Sequence, residues 1–146
     1  QPTSRGHVRI KNPQSADYPA ITLNYLSTEE DRKVAVEGLK LTRQIMAAKA
    51  LEEFQPQEWK PGLGLTTEED LYTAASDLGT TIFHPVGTCK MGNDDMAVVN
   101  DRLQVQGIER LRVIDASIMP RITSGNTNAP TVMIAEKGAE FVLEDY

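Results

Sequence analysis

Hydrophobic and polar positions follow two periods along the first half of the chain. Val8 and Ile10 stand two residues apart, Lys11-Asn12-Pro13-Gln14-Ser15 supplies turn chemistry, and Ile21, Leu23 and Tyr25 resume the period of two. This pattern predicts an antiparallel strand pair within residues 6–26. From Ser27 the period becomes helical: Val34, Leu41, Ile45 and Ala48 share one face. Ser27-Thr28-Glu29-Glu30 matches a capping box with Ser27 as N-cap and Glu30 reaching back, so a helix is expected from there to about Ala50, with Gly38 as its weak point. Pro56, Pro61, Gly62 and Gly64 mark residues 54–66 as loop. Thr67 with Asp70 forms a second cap and opens a short helix bearing Leu71, Ala74, Ala75 and Leu78, which Gly79 ends.

Beyond Thr80 the pattern is less regular. Thr80-Thr81-Ile82-Phe83 is β-like and leads into His84-Pro85-Val86-Gly87-Thr88-Cys89-Lys90-Met91-Gly92. Leu111-Arg112-Val113-Ile114-Asp115 reads as a short buried strand ending on a carboxylate. A loop rich in Ser, Gly, Asn and Pro runs from Met119 to Pro130, and Val132 to Leu143 forms a final apolar-faced helix. No internal repeat or low-complexity tract interrupts this order.

Composition narrows the functional classes. With 146 residues the chain suffices for one compact domain with a real core. Fifteen Lys and Arg against 21 Asp and Glu give a net charge of −6, the wrong sign for a nucleic acid partner. No apolar run reaches the roughly 20 residues of a transmembrane helix, and Gln1 to Arg9 lacks the layout of a signal peptide. Gly6-His7-Val8-Arg9-Ile10 instead reads as a strand already under way, as though the chain began mid-protein. The single cysteine, Cys89, excludes an internal disulfide and suits a reducing compartment, so a cytoplasmic setting is expected. Two histidines, His7 and His84, are too few for most dedicated metal centres, and no metal site is expected.

Several positions can carry chemistry. His84 lies between a β-like run and a Pro-Val-Gly-Thr turn, and histidine exchanges a proton near neutral pH; taken alone, a lone histidine is more often structural. Asn126 and Asn128 lie in a loop just before a helix, whose unpaired N–H groups favour an anionic oxygen, although an asparagine there also serves simply as a cap. Asp115 ends a predicted strand, where it either holds a cofactor hydroxyl or caps the next turn. Cys89 has no base beside it and reads as an inert thiol. Gly62-Leu63-Gly64-Leu65 follows no strand and has Thr67 at the last glycine position of a G-x-G-x-x-G pattern, so it is set aside as a phosphate loop.

Four stretches together resemble the C-terminal region of the glucose-methanol-choline (GMC) oxidoreductase family. They are Ser4-Arg5-Gly6 with Val8-Arg9-Ile10; Pro19 to Leu26 with Asp31; His84 to Gly92; and Leu111 to Glu136. Within the last, Val113-Ile114-Asp115-Ala116-Ser117-Ile118-Met119-Pro120 and Ser124-Gly125-Asn126-Thr127-Asn128-Ala129-Pro130-Thr131 look like the family signature, and the details look closest to its choline-dehydrogenase-like branch. The resemblance implies an FAD-dependent alcohol dehydrogenase or oxidase, with His84 as the catalytic histidine and Asn126 at the second active-site position. It implies flavin contacts from Phe83, from the strand-end pair Asp115 and Ala116, and from Thr127 and Asn128 at the start of the last helix. In that chemistry a neutral His84 takes the hydroxyl proton of a small-molecule alcohol or stabilises its alkoxide, Asn126 donates to the same oxygen, and the α-hydride passes to the flavin N5.

The family's dinucleotide-binding fingerprint has no counterpart in these residues, so the partner implied is an N-terminal FAD-binding part. Residues 1–110 are then expected to form a substrate-binding and catalytic cap region, and residues 111–146 a strand, loop and helix that complete the FAD domain. The expected fold is α+β, an antiparallel sheet flanked by helices. By itself the chain is expected to be inactive and to hold FAD weakly, and a second copy is a candidate partner for its C-terminal strand, giving a homo-oligomer. Alternative readings are a non-redox lyase on the same scaffold and an inactive fragment serving as an interaction module.

Overall fold

A computed structural model describes residues 1–145. The chain divides into two compact units, one spanning Pro2–Thr80 and the other beginning at Thr81.

In the first unit the predicted hairpin forms. Strands β1 (His7–Arg9) and β2 (Ala20–Thr22) pair antiparallel, with Val8 opposite Ile21. Gly6, just before β1, permits this approach, because a Cβ there would lie 2.1 Å from the Thr22 carbonyl oxygen. Helix α1 (Glu29–Met46) is capped by Thr28 rather than Ser27, its hydroxyl accepting from the Asp31 N–H at 3.3 Å. Ser27 is spent elsewhere, donating its backbone N–H to the Ser4 hydroxyl. No capping box closes here because the Asp31 carboxylate turns to the N-terminal segment, accepting from the Thr3 and Ser4 backbone N–H groups at 2.8 Å each.

Helix α1 stops four residues short of the expected Ala50. Ala48 adopts an extended backbone, and a 3₁₀ turn over Lys49–Phe54 follows. Helix α2 (Glu68–Leu78) begins on the expected Thr67–Asp70 capping box and ends at Gly79. It packs on α1, the pair burying Val36, Leu71 and Ala74. The expected apolar face of α1 is open: Val34 is 66% exposed, Leu41 56% and Ile45 54%. The 58–65 loop is held by Arg43, which grips Glu58 with Nε and Nη2 at 2.8 and 2.7 Å and donates to the Gly62 and Leu65 carbonyls. That guanidinium outweighs partial desolvation and keeps the Glu58 carboxyl below the usual carboxylate range.

The second unit is built around an apolar cluster of Val99, Leu103, Ile118, Met119 and Ile134, against which Val86, Met91, Val105, Ile114 and Phe141 pack. Its backbone is irregular. Neither Thr80–Phe83 nor Leu111–Asp115 forms a strand; isolated bridges join Met91 to Val99, Val99 to Val105, and Gln104 to Arg112. A strand needs a continuous ladder along at least one edge, and the 111–113 segment finds only two such bonds, Val105 N–H to Leu111 and Val113 N–H to Leu103. The apolar side chains predicted for a strand are still used, since Val113 and Ile114 face the cluster. Helix α3 (Asn128–Glu144) starts four residues before the expected Val132. Pro130 is tolerated because first-turn N–H groups have no helical acceptor. Gly138 brings α3 against Ile114, whose Cγ2 would lie 2.4 Å from any Cβ there. At its other end Arg102 stacks over Phe141 and, with Arg112, pairs with Asp145.

The α+β class therefore holds in a reduced form: three α-helices and one two-stranded sheet among the described residues. No helix among them is long and apolar enough to cross a membrane.

Candidate active site

All seven residues singled out for chemistry fall in the second unit, on three segments fastened to its apolar cluster. The first carries Phe83 and His84. Val86 anchors this segment in the cluster, and Gly87 turns it with φ of +87°, a conformation that side chains oppose and that leaves a Cβ only 3.2 Å from the Met119 carbonyl. Phe83 is also left-handed, at φ of +64°, with its ring 82% exposed and its N–H donated to the Thr81 hydroxyl. An aromatic residue in that conformation costs roughly 1–3 kcal/mol and occurs mainly where function demands it.

The second segment carries Asp115 and Ala116. Asp115 caps a 3₁₀ turn over Ala116–Ile118, accepting from both the N–H and the hydroxyl of Ser117. The capping alternative is thus the one its carboxylate visibly serves. This turn also locks the first segment in place, because the Ser117 and Ile118 carbonyls accept from the Cys89 and Met91 N–H groups at 3.0 and 2.7 Å.

The third segment is the 124–128 loop and the start of α3. Asn126 is exposed, whereas Thr127, its neighbour, is buried. The Thr127 hydroxyl lies 2.8 Å from Nδ1 of the half-buried His84, spanning 43 positions of sequence. That hydrogen bond joins the first and third segments and leaves Nε2 as the ring nitrogen without a protein partner among the described residues. At the start of α3 no side chain caps the first-turn N–H groups, so they and the partial positive charge of the helix end stay available. No group of His, Cys, Asp and Glu able to hold a metal ion occurs among the described residues.

The sequence reading identified His84 and Thr127 separately but not the hydrogen bond between their side chains. The sequence carries no signal for that bond, since Thr127 stands out there only through the family resemblance.

An imidazole with one ring nitrogen held, an exposed amide next in sequence to the residue that holds it, and an uncapped helix start suit polar chemistry on an oxygen-bearing substrate. Residues 2–135 match the family model described as GMC oxidoreductase. The chain belongs to the GMC oxidoreductase family. It is 48% identical over 137 residues to an oxygen-dependent choline dehydrogenase of Pseudomonas fluorescens (strain SBW25), covering 94% of this chain and 24% of that protein. Among solved structures it resembles pyridoxine 4-oxidase from Mesorbium loti, with 38% identity and a TM-score of 0.83 over 95% of the chain and 27% of that protein. An FAD-dependent oxidoreductase from Chaetomium thermophilum gives 31% identity and a TM-score of 0.92 over 99% of the chain and 25% of that protein. The chain thus spans about a quarter of the length of these GMC relatives.

Proposed function

We propose that this chain is the C-terminal catalytic part of an FAD-dependent alcohol oxidoreductase. In that reading residues 1–110 contribute the substrate-binding region and residues 111–146 complete the FAD-binding domain, Tyr146 lying outside the described residues. The observation that carries the reading is that His84, one of only two histidines in the chain, is held by its Nδ1 while Nε2 has no protein partner among the described residues. The lone thiol, half-buried Cys89, fits a reducing, cytoplasmic setting.

The residues present fit a flavin. The uncapped first turn of α3, with Thr127 and Asn128, offers backbone donors and positive potential to an electron-rich carbonyl edge. Phe83 presents an exposed ring beside His84, and the backbone around Asp115 and Ala116 forms a fixed turn. When bound, FAD supplies the acceptor for the substrate hydride. Nε2 of His84 takes the hydroxyl proton of the alcohol, and the Asn126 amide donates a hydrogen bond to the oxygen as charge builds on it. Choline is the first alcohol to assay, given the name of the bacterial relatives.

The test is His84→Ala in the full-length protein, with flavin reduction by alcohol followed in a stopped-flow experiment. General-base catalysis is usually worth about 10²–10⁴, so a loss of that size with FAD still bound is expected. A loss smaller than about tenfold removes His84 from the proton-transfer role.

A further inference from the structure

Thr127 stands at the N-cap of α3 yet does not cap it. A capping threonine holds an extended backbone and turns its hydroxyl to the N–H two or three residues on, as Thr28 and Thr67 do with ψ of 151° and 157°, each accepting from the aspartate three residues later, whereas Thr127 is helical with ψ of −3°. The Thr127 hydroxyl makes no such bond and lies 2.8 Å from His84 Nδ1 instead. Its residue is only 8% exposed, so water has little access with which to replace that contact. With its backbone already helical, the Thr127 hydroxyl is not used for the cap and is left to a partner 43 positions away in sequence.

We infer that Thr127 is a positioning residue for His84, its hydroxyl accepting from Nδ1–H so that the neutral imidazole keeps its lone pair on Nε2. This rests on the proposed role of His84 as base. A neutral imidazole carries one proton, and the partner of one nitrogen decides which nitrogen remains basic. If the hydroxyl donated to Nδ1, the proton would sit on Nε2, which could then hydrogen-bond to an alcohol oxygen but not take its proton. With Nδ1 as donor the contact also survives proton transfer, because the imidazolium keeps its Nδ1–H. The same bond fixes the rotation of the ring, which otherwise turns about the Cβ–Cγ bond at the half-exposed end of its loop.

The experiment compares Thr127→Val, Thr127→Ser and His84→Ala in the full-length, FAD-loaded protein, measuring flavin reduction, KM for the alcohol and FAD content. Valine keeps the shape and loses the hydroxyl; serine keeps the hydroxyl and loses the methyl. Thr127→Val is expected to slow flavin reduction about 10- to 100-fold, the usual effect of a misplaced catalytic group, with KM and FAD content near wild type and with Thr127→Ser restoring most of the rate. Equal losses in the valine and serine variants would reduce Thr127 to packing, and a wild-type rate in Thr127→Val would remove the positioning role. Either outcome leaves the base reading standing if His84→Ala is slow. A fast His84→Ala overturns that reading and takes the inference with it.

Discussion

The two units of this chain are held together by different physics. Residues 81–145 surround a contiguous apolar cluster, with Val99 fully buried and Leu103, Ile118, Met119 and Ile134 nearly so. Residues 2–80 bury only Val36, Leu71 and Ala74 among their apolar side chains. That unit is pinned by directional polar contacts: Asp31 on the Thr3–Ser4 backbone and Arg43 on Glu58 and two loop carbonyls. Apolar packing has no preferred direction and tolerates irregular backbone, so the second unit holds its loops without regular strands. All the candidate site residues lie on that unit. A side chain that must be placed to a fraction of an ångström belongs on loops fixed by a dense core.

The largest way to test this contrast is to open the core. Ile118→Ala removes a buried branched side chain at the centre of the cluster and should cost about 2–5 kcal/mol. Hydrogen exchange in the full-length protein should show the loss at amides of residues 98–105 and 131–142, while α1 and α2 keep their protection. Equal loss of protection in α1 and α2 would break the comparison, since the first unit would then depend on the same core.

A smaller and pH-dependent effect is expected from the polar anchor. Burial raises the Asp31 carboxyl, but the Ser4 hydroxyl and the Thr3 and Ser4 N–H groups outweigh it and hold the group well below the usual carboxylate range. The folded state therefore favours the carboxylate. Its contribution is complete above the unfolded value of about 3.9 and fades as pH falls from there toward the folded value. Asp31→Asn removes charge-assisted bonds worth about 1–3 kcal/mol. The gap from wild type, read from the thermal unfolding midpoint or from exchange at the start of α1, should be steady between about pH 5 and 8 and narrow below about pH 4. A gap that widens in acid would show that the carboxylate is not the anchoring form.

The same contrast decides what could be read in the sequence. Helix α2 was legible in full because its signals are local: a capping box at Thr67 and Asp70, helical spacing at Leu71 and Ala74, and Gly79 at the end. The start of α1 was not, because Ser27–Glu30 and Thr28–Asp31 carry the same spacing. Only the distant Ser4 and Thr3 decide between them, one taking the Ser27 N–H and both claiming the Asp31 carboxylate. The end of α1 had no signal at all, since Ala47 to Ala50 are good helix formers. Its helical periodicity correctly found an apolar stripe at Val34, Leu41 and Ile45, but a stripe does not say what covers it. The strand expected at Leu111–Asp115 failed for a related reason: a strand is a relation to a neighbour, and here only Val113 and Ile114 pack on the cluster, without the ladder. Within the candidate site, motif resemblance named the residues, while the bond from Thr127 to His84 was visible only in three dimensions.

The finest test compares helix starts, where one residue type is put to two uses. Thr67 and Thr127 hold the N-cap positions of α2 and α3, and only Thr67 caps. Its hydroxyl accepts from the Asp70 N–H at 3.1 Å while the Asp70 carboxylate receives the Thr67 N–H. Thr67→Ala should therefore cost about 0.5–2 kcal/mol, read as faster exchange of the Asp70 and Leu71 amides, and Thr67→Ser should keep most of that protection. Thr127→Val removes no capping bond, so the first-turn amides of α3 should move by less than about 0.5 kcal/mol, below the usual cost of a lost cap, while the flavin reduction rate falls. Equal changes at the two helix starts would mean that Thr127 supports its helix after all. Unequal ones locate the energy of that hydroxyl in the imidazole it holds.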